Sequence, residues 1–366
     1  MKILKTIFAS QKTLLAAIAA VMFATAACSH EGNLKVEPSN PDILYMGRIH
    51  WNDSMIAEFN YPGVTAMLNF EGTGLAMSAN AGSGQFMVEI DNNEPFKINF
   101  TDSTTTIVLA DSLGKGEHHA RIAYAIEGHD KRPAFRGFEI FGPDAKLLPA
   151  PKRPELKLKF IGNSITCGYG TEADSGQVRF SFDTENHTLS YAYLTARALD
   201  ADFHVVARSG IGMYRSYGGP IEGTPGNRMP DVFDRALYYS PDYEWDHNSF
   251  HPDIICINLG TNDTSLEQFD AKLFEEKYNE FVDHLRDIHP GAKIVILNGP
   301  MLNGEWLETI RASLDRVAEG RENVTRFDFS PCTGELGYGA DFHPSRRQAA
   351  KMAQELIPYL LELQGK

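Results

Sequence analysis

A single serine in the segment Phe160-Ile161-Gly162-Asn163-Ser164-Ile165-Thr166-Cys167-Gly168 stands where a nucleophile could act. The apolar residues before it predict a buried strand, so Ser164 follows the C-terminal end of that strand. Open α/β sheets hold their reactive groups at that edge. Because a serine hydroxyl is a poor nucleophile at neutral pH, Ser164 needs a base that takes its proton during attack on an acyl carbonyl.

His343 is the candidate base among the twelve histidines of the chain. It lies in Asp341-Phe342-His343-Pro344-Ser345, just before the last predicted helix. Side chains two residues apart share one side of an extended backbone, and Pro344 favours that backbone at His343. We therefore predict that Asp341 bonds Nδ1 of His343 and leaves Nε2 facing Ser164. A backbone carbonyl is the alternative orienting group, and taken singly the two residues could be a turn serine and a helix-capping histidine.

The segment Leu259-Gly260-Thr261-Asn262-Asp263 follows another predicted strand and offers donors for an oxyanion. The predicted oxyanion hole consists of the side-chain amide of Asn262 and the backbone N–H groups of Ser164 and Gly210. Gly212 is the alternative to Gly210, since Ser209-Gly210-Ile211-Gly212 contains two glycines. Asp263 is predicted to brace the loop. The sequence has no metal-ligand spacing or nucleotide-binding loop, so we expect no metal and no cofactor.

Two kinds of pattern indicate the elements that carry these residues. From 42 to 150, short β-type runs are separated by turn residues, which predicts a β-sandwich. The proline-rich stretch Pro149-Ala150-Pro151-Lys152-Arg153-Pro154 suits a stiff connector. From 155 to 366, apolar strands alternate with helical segments, which predicts a parallel sheet covered on both faces. The long segment from Arg215 to Ser249 has no regular period and is predicted to shape a substrate pocket.

The first 27 residues have the layout of a secretory signal peptide. Lys2, Lys5 and Lys12 precede an apolar run from Thr13 to Ala27, which is shorter than the roughly 18 to 20 residues of a membrane-spanning helix. We expect this segment to be removed after export.

The segment Thr25-Ala26-Ala27-Cys28 resembles a bacterial lipoprotein processing site, which implies lipidation of Cys28. Residues 28–41 are then predicted to be a polar tether from an outer-membrane or cell-surface anchor. Thr25 replaces the aliphatic residue that is usual there, which leaves open ordinary cleavage to a soluble periplasmic or extracellular product.

The charge of the chain argues against nucleic acid as a partner. The 366 residues carry a net charge of −14, and loss of the first 27 residues with their three lysines brings it to about −17. A strongly acidic surface repels a phosphate backbone. With Cys28 set aside, Cys167, Cys256 and Cys332 match no zinc pattern and are predicted to be buried thiols.

The motifs Gly-Asn-Ser-Ile-Thr, Gly-Thr-Asn-Asp and Asp-Phe-His-Pro together resemble the SGNH, or GDSL-type, hydrolase superfamily over residues 155–366. The nucleophile segment, the one-residue gap between Asp341 and His343 and the preceding β-rich domain are similar to carbohydrate esterase family 2. That resemblance implies an α/β/α SGNH domain with a parallel sheet, preceded by a jelly-roll domain. It also implies Ser164 as nucleophile, His343 as base, Asp341 as its partner, and Gly210 and Asn262 in the oxyanion hole.

Two departures from the superfamily pattern are present. Asn163 replaces the aspartate that usually precedes the serine, and wider SGNH members have two residues between the terminal acid and the histidine. The first alters how the nucleophile turn is braced, and the second leaves open whether Asp341 or a backbone carbonyl orients His343.

The resemblance implies a serine esterase that removes O-acetyl groups from plant polysaccharides such as xylan and glucomannan. The expected partner is an acetylated polysaccharide or oligosaccharide, with a membrane contacted only through the lipid anchor, and the chain is expected to be a monomer. One alternative is a catalytically silent, surface glycan-binding lipoprotein. Another is an SGNH esterase that acts on lipid or aryl esters.

Overall fold

The computed structural model describes residues 32–128 and 130–365 of the chain. Two antiparallel sheets form the N-terminal part and pack face to face, which confirms the predicted β-sandwich. Their strands are β1 (Leu34–Val36), β2 (Leu44–Met46), β3 (His50–Trp51), β4 (Ala57–Glu58), β5 (Thr65–Glu71), β6 (Gly74–Ala79), β7 (Gly84–Ile90), β8 (Phe96–Phe100), β9 (Thr106–Ala110), β10 (Glu117–Tyr124), β11 (Ala134–Phe141) and β12 (Lys146–Leu147).

The sandwich begins earlier than the sequence indicated. Strand β1 pairs antiparallel with β11, and Val36 is buried, so residues 34–36 belong to the first sheet and not to a tether. Leu34 and Val36 flank Lys35, which gives the strand one apolar face, but three residues are too few for the alternation to be recognised. The predicted signal peptide and Cys28 lie outside the described residues.

A five-stranded parallel sheet in the order β14-β13-β17-β18-β19 forms the C-terminal part. Helices cover both faces, as predicted, because parallel strands that are buried on two sides need apolar cover on each. The elements are β13 (Lys157–Gly162), α1 (Ser164–Cys167), α2 (Tyr191–Ala198), β14 (Asp202–Ala207), α3 (Met229–Val232), β15 (Arg235–Leu237), β16 (Ser240–Glu244), β17 (Ile254–Asn258), α4 (Ala271–Ile288), β18 (Lys293–Asn298), α5 (Gly304–Ala318), β19 (Val324–Asp328) and α6 (Arg346–Leu363).

Each face of the parallel sheet has its own apolar core. Helices α4 and α5 pack on one face through residues such as Tyr278 and Leu314. Helices α2 and α6 pack on the other face, where Ala196 and Leu356 meet Phe160 of β13. The result is a three-layer α/β/α domain. Within the described ranges, no helix has both the length and the apolar character needed to cross a bilayer.

The two domains share part of a core. Alternate residues of β5 point in opposite directions, so Leu68 packs inside the sandwich while Met67 packs with the core of the α/β domain. Ala123 of β10 and Met46 of β2 join Met67 in that second core. One sandwich sheet is therefore buried on both faces, and the α/β domain rests on it.

The segment from 215 to 249, predicted to be irregular, contains helix α3 and the hairpin of β15 and β16. Much of it contacts the sandwich: the buried Arg48 guanidinium donates to the carbonyl of Arg235 at 2.8 Å, and the Tyr238 N–H donates to Asn60 Oδ1 at 2.9 Å. The pattern missed these elements because they are short. Part of the segment packs in the domain interface, so the prediction that the whole segment shapes a substrate pocket is too broad.

Candidate active site

Ser164 is the first residue of α1 and is separated from the end of β13 by Asn163 alone. Asn163 caps the helix, since its Oδ1 accepts from the Ile165 N–H at 3.1 Å. Asn163 therefore braces the turn with the kind of acceptor that an aspartate would supply. Gly162 is required for the tight turn, because a Cβ there would lie 2.1 Å from Thr166 Oγ1. The nucleophile motif thus encodes a sharp strand-to-helix turn that leaves Ser164 6% exposed.

His343 contacts Ser164 directly. Its Nε2 lies 2.8 Å from Ser164 Oγ, although the two residues are 179 positions apart. Its Nδ1 lies 3.1 Å from the carbonyl oxygen of Ala340 and 3.3 Å from that of Asp341. A carbonyl oxygen only accepts, so Nδ1 carries the proton and Nε2 presents its lone pair to the serine hydroxyl. Burial lowers the pKa of His343 below its usual 6.5, which favours the neutral imidazole that a base requires.

The carboxylate of Asp341 points away from His343, so the predicted hydrogen bond to Nδ1 is wrong. It accepts from the Tyr169 hydroxyl at 2.8 Å, from Arg179 Nη1 at 2.8 Å and from the Phe180 N–H at 2.9 Å. The backbone is the reason: Asp341 has a φ of +47° and Phe342 a φ of +61°. This left-handed turn breaks the extended geometry that the prediction assumed, and backbone carbonyls orient the imidazole instead.

Asp341 nevertheless acts on the site through Tyr169. The ring of Tyr169 stacks on the imidazole of His343, with ring centroids 4.0 Å apart. It also stacks on the ring of Phe180, with centroids 4.2 Å apart. The Arg179 guanidinium holds the pKa of Asp341 below its usual range, which keeps the carboxylate ionised as an acceptor for the Tyr169 hydroxyl. Sequence reasoning gave Tyr169 no role. Its place in Gly168-Tyr169-Gly170, directly after the nucleophile turn, was the available signal.

The predicted oxyanion residues follow strands that flank β13. Gly162 of β13 is paired with Ala207 of β14 on one side and with Asn258 of β17 on the other. Gly210 and Asn262 follow those two strands and therefore start from the same edge as Ser164. Asn262 Nδ2 also donates to the carbonyl of Ile211 at 2.8 Å, which ties it to the loop that contains Gly210.

The two glycines of that loop differ in their surroundings. A Cβ on Gly212 would lie 1.9 Å from the carbonyl oxygen of Arg215, so Gly212 is needed for close backbone packing. A Cβ on Gly210 would meet nothing closer than 3.9 Å, and Gly210 has a φ of +77°. The open surroundings favour Gly210 as the glycine that faces a substrate.

Asp263 braces this loop, as its position suggested. Its carboxylate accepts from the N–H groups of Met213, Tyr214 and Arg215 at 2.8 to 3.2 Å. Burial raises the pKa of Asp263 to about 6 against the opposing effect of those donors. Asp263 therefore fixes the backbone beyond Gly212 and makes no contact with Ser164 or His343 among the hydrogen bonds of the described residues.

A serine and a neutral imidazole at the C-terminal edge of a parallel sheet, with amide donors on the two adjacent loops, define an ester hydrolase of the SGNH class. Residues 160–351 match the GDSL-like Lipase/Acylhydrolase family model, and residues 45–151 match the model for the carbohydrate esterase 2 N-terminal domain. The chain belongs to carbohydrate esterase family 2.

Characterised relatives cover both domains. The chain is 36% identical over 328 residues to the cellulase/esterase CelE of Acetivibrio thermocellus, covering 87% of this chain but 39% of that protein. It is 31% identical to an acetylxylan esterase / glucomannan deacetylase of Cellvibrio japonicus, covering 90% of each. A family two carbohydrate esterase from Clostridium thermocellum, solved in complex with cellohexaose, superposes with a TM-score of 0.82 at 36% identity, covering 88% of this chain and 99% of that one.

Proposed function

We propose that the protein is a serine esterase that removes O-acetyl groups from plant cell-wall polysaccharides of the xylan or glucomannan type. The observation that carries the proposal is the 2.8 Å contact between His343 Nε2 and Ser164 Oγ, with the imidazole held in the tautomer that can accept a proton. The acetylxylan esterase / glucomannan deacetylase of Cellvibrio japonicus, similar over nine-tenths of both chains, supports the substrate class.

The proposed reaction has two stages. Ser164 Oγ attacks the acetyl carbonyl while His343 Nε2 takes the hydroxyl proton. The N–H groups of Ser164 and Gly210 and the amide of Asn262 receive the negative charge on the carbonyl oxygen. The bond to the sugar oxygen then breaks, and His343 returns the proton to that oxygen, which leaves Ser164 acetylated. His343 Nε2 then takes a proton from a water molecule as that water attacks the acetyl carbonyl, the bond to Ser164 Oγ breaks, and His343 passes the proton to Ser164 Oγ, which releases acetate and restores the free serine.

Exposed aromatic rings beside the site support a sugar substrate. Phe342, next to His343, is 49% exposed, and Tyr217 is 70% exposed. Tyr217 belongs to the site loop, because its N–H donates to the carbonyl of Gly210 at 2.8 Å. Sugar rings present C–H groups that pack on flat aromatic faces. The related Clostridium thermocellum esterase that was solved with cellohexaose is consistent with such a surface.

The substitution Ser164→Ala tests the nucleophile. We expect it to abolish acetate release from acetylated xylan and acetylated glucomannan while the melting temperature stays near that of the unsubstituted protein. Retained turnover would overturn the assignment. The regiochemistry of the products on a panel of acetylated glycans identifies the polysaccharide and the hydroxyl position.

The same assays separate the alternatives. A silent glycan-binding protein would bind the polysaccharide whether or not it is acetylated and release no acetate. An esterase for lipids or aryl esters would prefer long-chain esters over acetylated glycans. The intact Ser164–His343 contact argues against the first alternative.

We also propose export and anchoring through Cys28, on the sequence pattern alone. Mass spectrometry of the mature N terminus tests this, with Cys28→Ser as the control. We expect that substitution to release the protein from the membrane fraction, and an unlipidated mature protein in cells that carry the natural sequence would refute the anchor.

A further inference from the structure

Glu127 reaches from the sandwich domain into the active-site region of the α/β domain. It follows strand β10 and is 2% exposed. Its Oε2 accepts from the backbone N–H of Ser209 at 2.7 Å. Ser209 directly precedes Gly210 in the chain, so a carboxylate from one domain holds the peptide next to the proposed oxyanion donor of the other.

The same carboxylate also lies against the nucleophile helix. Cys167 Sγ, in the last turn of α1, is 3.8 Å from Glu127 Oε2. The Glu127 N–H donates to Glu185 Oε2 at 3.3 Å, and the Ala125 carbonyl accepts from the His187 N–H at 2.6 Å. Hydrogen bonds to the α/β domain therefore hold the segment from 125 to 127 at both of its ends. Glu127 bridges the helix that begins at the nucleophile and the loop that contains Gly210.

The Gly210 loop depends on such a restraint. Gly210 has a φ of +77°, and the nearest neighbour of the place where a Cβ would be is Tyr217 Cβ at 3.9 Å, so close packing does not fix the backbone conformation there. Glycine has more accessible backbone conformations than any other residue. Two hydrogen bonds hold the chain on either side of the Gly210 nitrogen. The Ser209 N–H donates to Glu127, and the Gly210 carbonyl accepts from the Tyr217 N–H.

We propose that Glu127 is a positioning residue of the active site: its carboxylate fixes the Ser209–Gly210 backbone so that the Gly210 N–H is aimed at the oxyanion. This inference rests on the proposed function, in which Gly210 serves as a donor. It gives the sandwich domain a part in the chemistry itself, in addition to any contact that it makes with the polysaccharide. Preorganised donors lower the barrier because they need no rearrangement when the charge develops.

A second buried carboxyl group, that of Glu185, lies beside Glu127. Glu185 is fully buried, and burial together with the nearby Glu127 raises its pKa well above the usual value. Two adjacent buried carboxyl groups avoid a double charge when one of them stays protonated. The surroundings of Glu185 favour its protonated form, and the Ser209 N–H donates to Glu127 Oε2.

The test compares three variants on 4-nitrophenyl acetate, a substrate too small to need the sandwich for binding. In Glu127→Gln the amide oxygen can still accept from the Ser209 N–H, whereas in Glu127→Ala the acceptor is lost. The matched control is Glu89→Ala, because Glu89 of the sandwich pairs with Arg197 of α2 at 3.2 Å on the exposed part of the interface. The measurements are kcat, KM and the melting temperature of each variant.

We expect Glu127→Ala to lower kcat about tenfold to a hundredfold with KM within twofold, since one misaligned donor costs at most the hundredfold to thousandfold of a donor that is removed. Glu127→Gln should keep kcat within about threefold, and Glu89→Ala should leave it unchanged. The proposal is overturned if Glu127→Ala keeps its kcat, if Glu127→Gln loses as much as Glu127→Ala, or if Glu89→Ala loses equally.

A folding failure of Glu127→Ala leaves a second comparison. Glu127→Asp keeps the carboxyl group but is one methylene shorter, so we expect a lower kcat than for Glu127→Gln, and the reverse order overturns the proposal. The Ser164→Ala variant, assayed in parallel, separates the two hypotheses. Full activity of that variant contradicts the proposed function, whereas its inactivity beside an unaffected Glu127→Ala contradicts the role of Glu127 alone.

Discussion

The ring of Tyr169 lies against the imidazole of His343, with centroids 4.0 Å apart and planes inclined by 26°. The hydroxyl of the same tyrosine donates to Asp341 at 2.8 Å. Asp341 therefore holds the Tyr169 ring that packs on the imidazole, whereas Nδ1 of His343 bonds to backbone carbonyl oxygens. This arrangement makes the acid and the histidine unequal in their expected effects on the rate.

Asp341→Asn should reduce kcat far less than His343→Ala does. Loss of a triad aspartate costs about 10⁴ in kcat, but the asparagine oxygen can still accept from Tyr169, so we expect less than about tenfold here. Removal of His343 deletes the base, and we expect a loss of more than about a thousandfold. Steady-state kinetics on 4-nitrophenyl acetate measure both. Equal losses would show that the carboxylate is a direct partner of the imidazole.

The pH profile should report the imidazole. The base must be neutral, so kcat/KM rises with pH through the pKa of His343 in the free enzyme and is level above it. Because burial lowers that pKa below 6.5, we expect the half-maximal point on the acid side to lie below pH 6.5. A midpoint above pH 6.5 would contradict this environment for His343. A profile of circular dichroism over the same range separates titration from unfolding.

Asn262→Ala should lower kcat by about a hundredfold to a thousandfold, the usual cost of one oxyanion donor. KM should change little, because the interaction strengthens only as the charge develops. The Asn262 amide also donates to the Ile211 carbonyl, so the melting temperature must be measured beside the kinetics. A large fall in melting temperature with unchanged kcat would assign Asn262 a purely structural role.

Gly212→Ala should destabilise the protein more than Gly210→Ala does. At Gly212 the added methyl group would lie 1.9 Å from a backbone oxygen, which cannot move aside as a flexible side chain could. At Gly210 there is space, and the cost is the left-handed backbone, about 1 to 2 kcal/mol for a residue with a Cβ. Melting temperatures of the two variants check the order. The reverse order would mean that the loop has another conformation.

The sequence pattern predicted the two-domain architecture because long apolar strands and amphipathic helices leave strong periodic signals. Helix α4 is an example, since its buried residues Phe274, Tyr278, Phe281 and Leu285 recur at helical spacing. Strand β1 escaped because three residues carry too little pattern, and the hairpin of β15 and β16 escaped because its outer strand is largely exposed.

Strand ends fix the places of Ser164 and His343, whose side chains lie 2.8 Å apart, whereas a local turn decides the direction of the Asp341 carboxylate. Ser164 follows a strand and His343 precedes a helix, so topology alone predicted that they would meet. The direction of the Asp341 carboxylate depends on two positive φ values that no residue type at 341 or 342 announces. No role could be assigned to Glu127 from the sequence because it contacts Ser209 only when the two domains pack together. Nothing in the residues next to Glu127 indicates that contact.

The histidine is oriented by carbonyl oxygens of residues 340 and 341, and every amino acid carries such an oxygen. No amino-acid substitution at those positions removes the backbone oxygen, as long as the turn keeps its shape. A substitution of the Asp341 side chain therefore leaves the oxygen that orients His343 in place, whereas it would remove the orienting group if the carboxylate held that role. The orientation of the His343 imidazole thus depends on the conformation of the loop that places these carbonyl oxygens, and not on an acidic side chain.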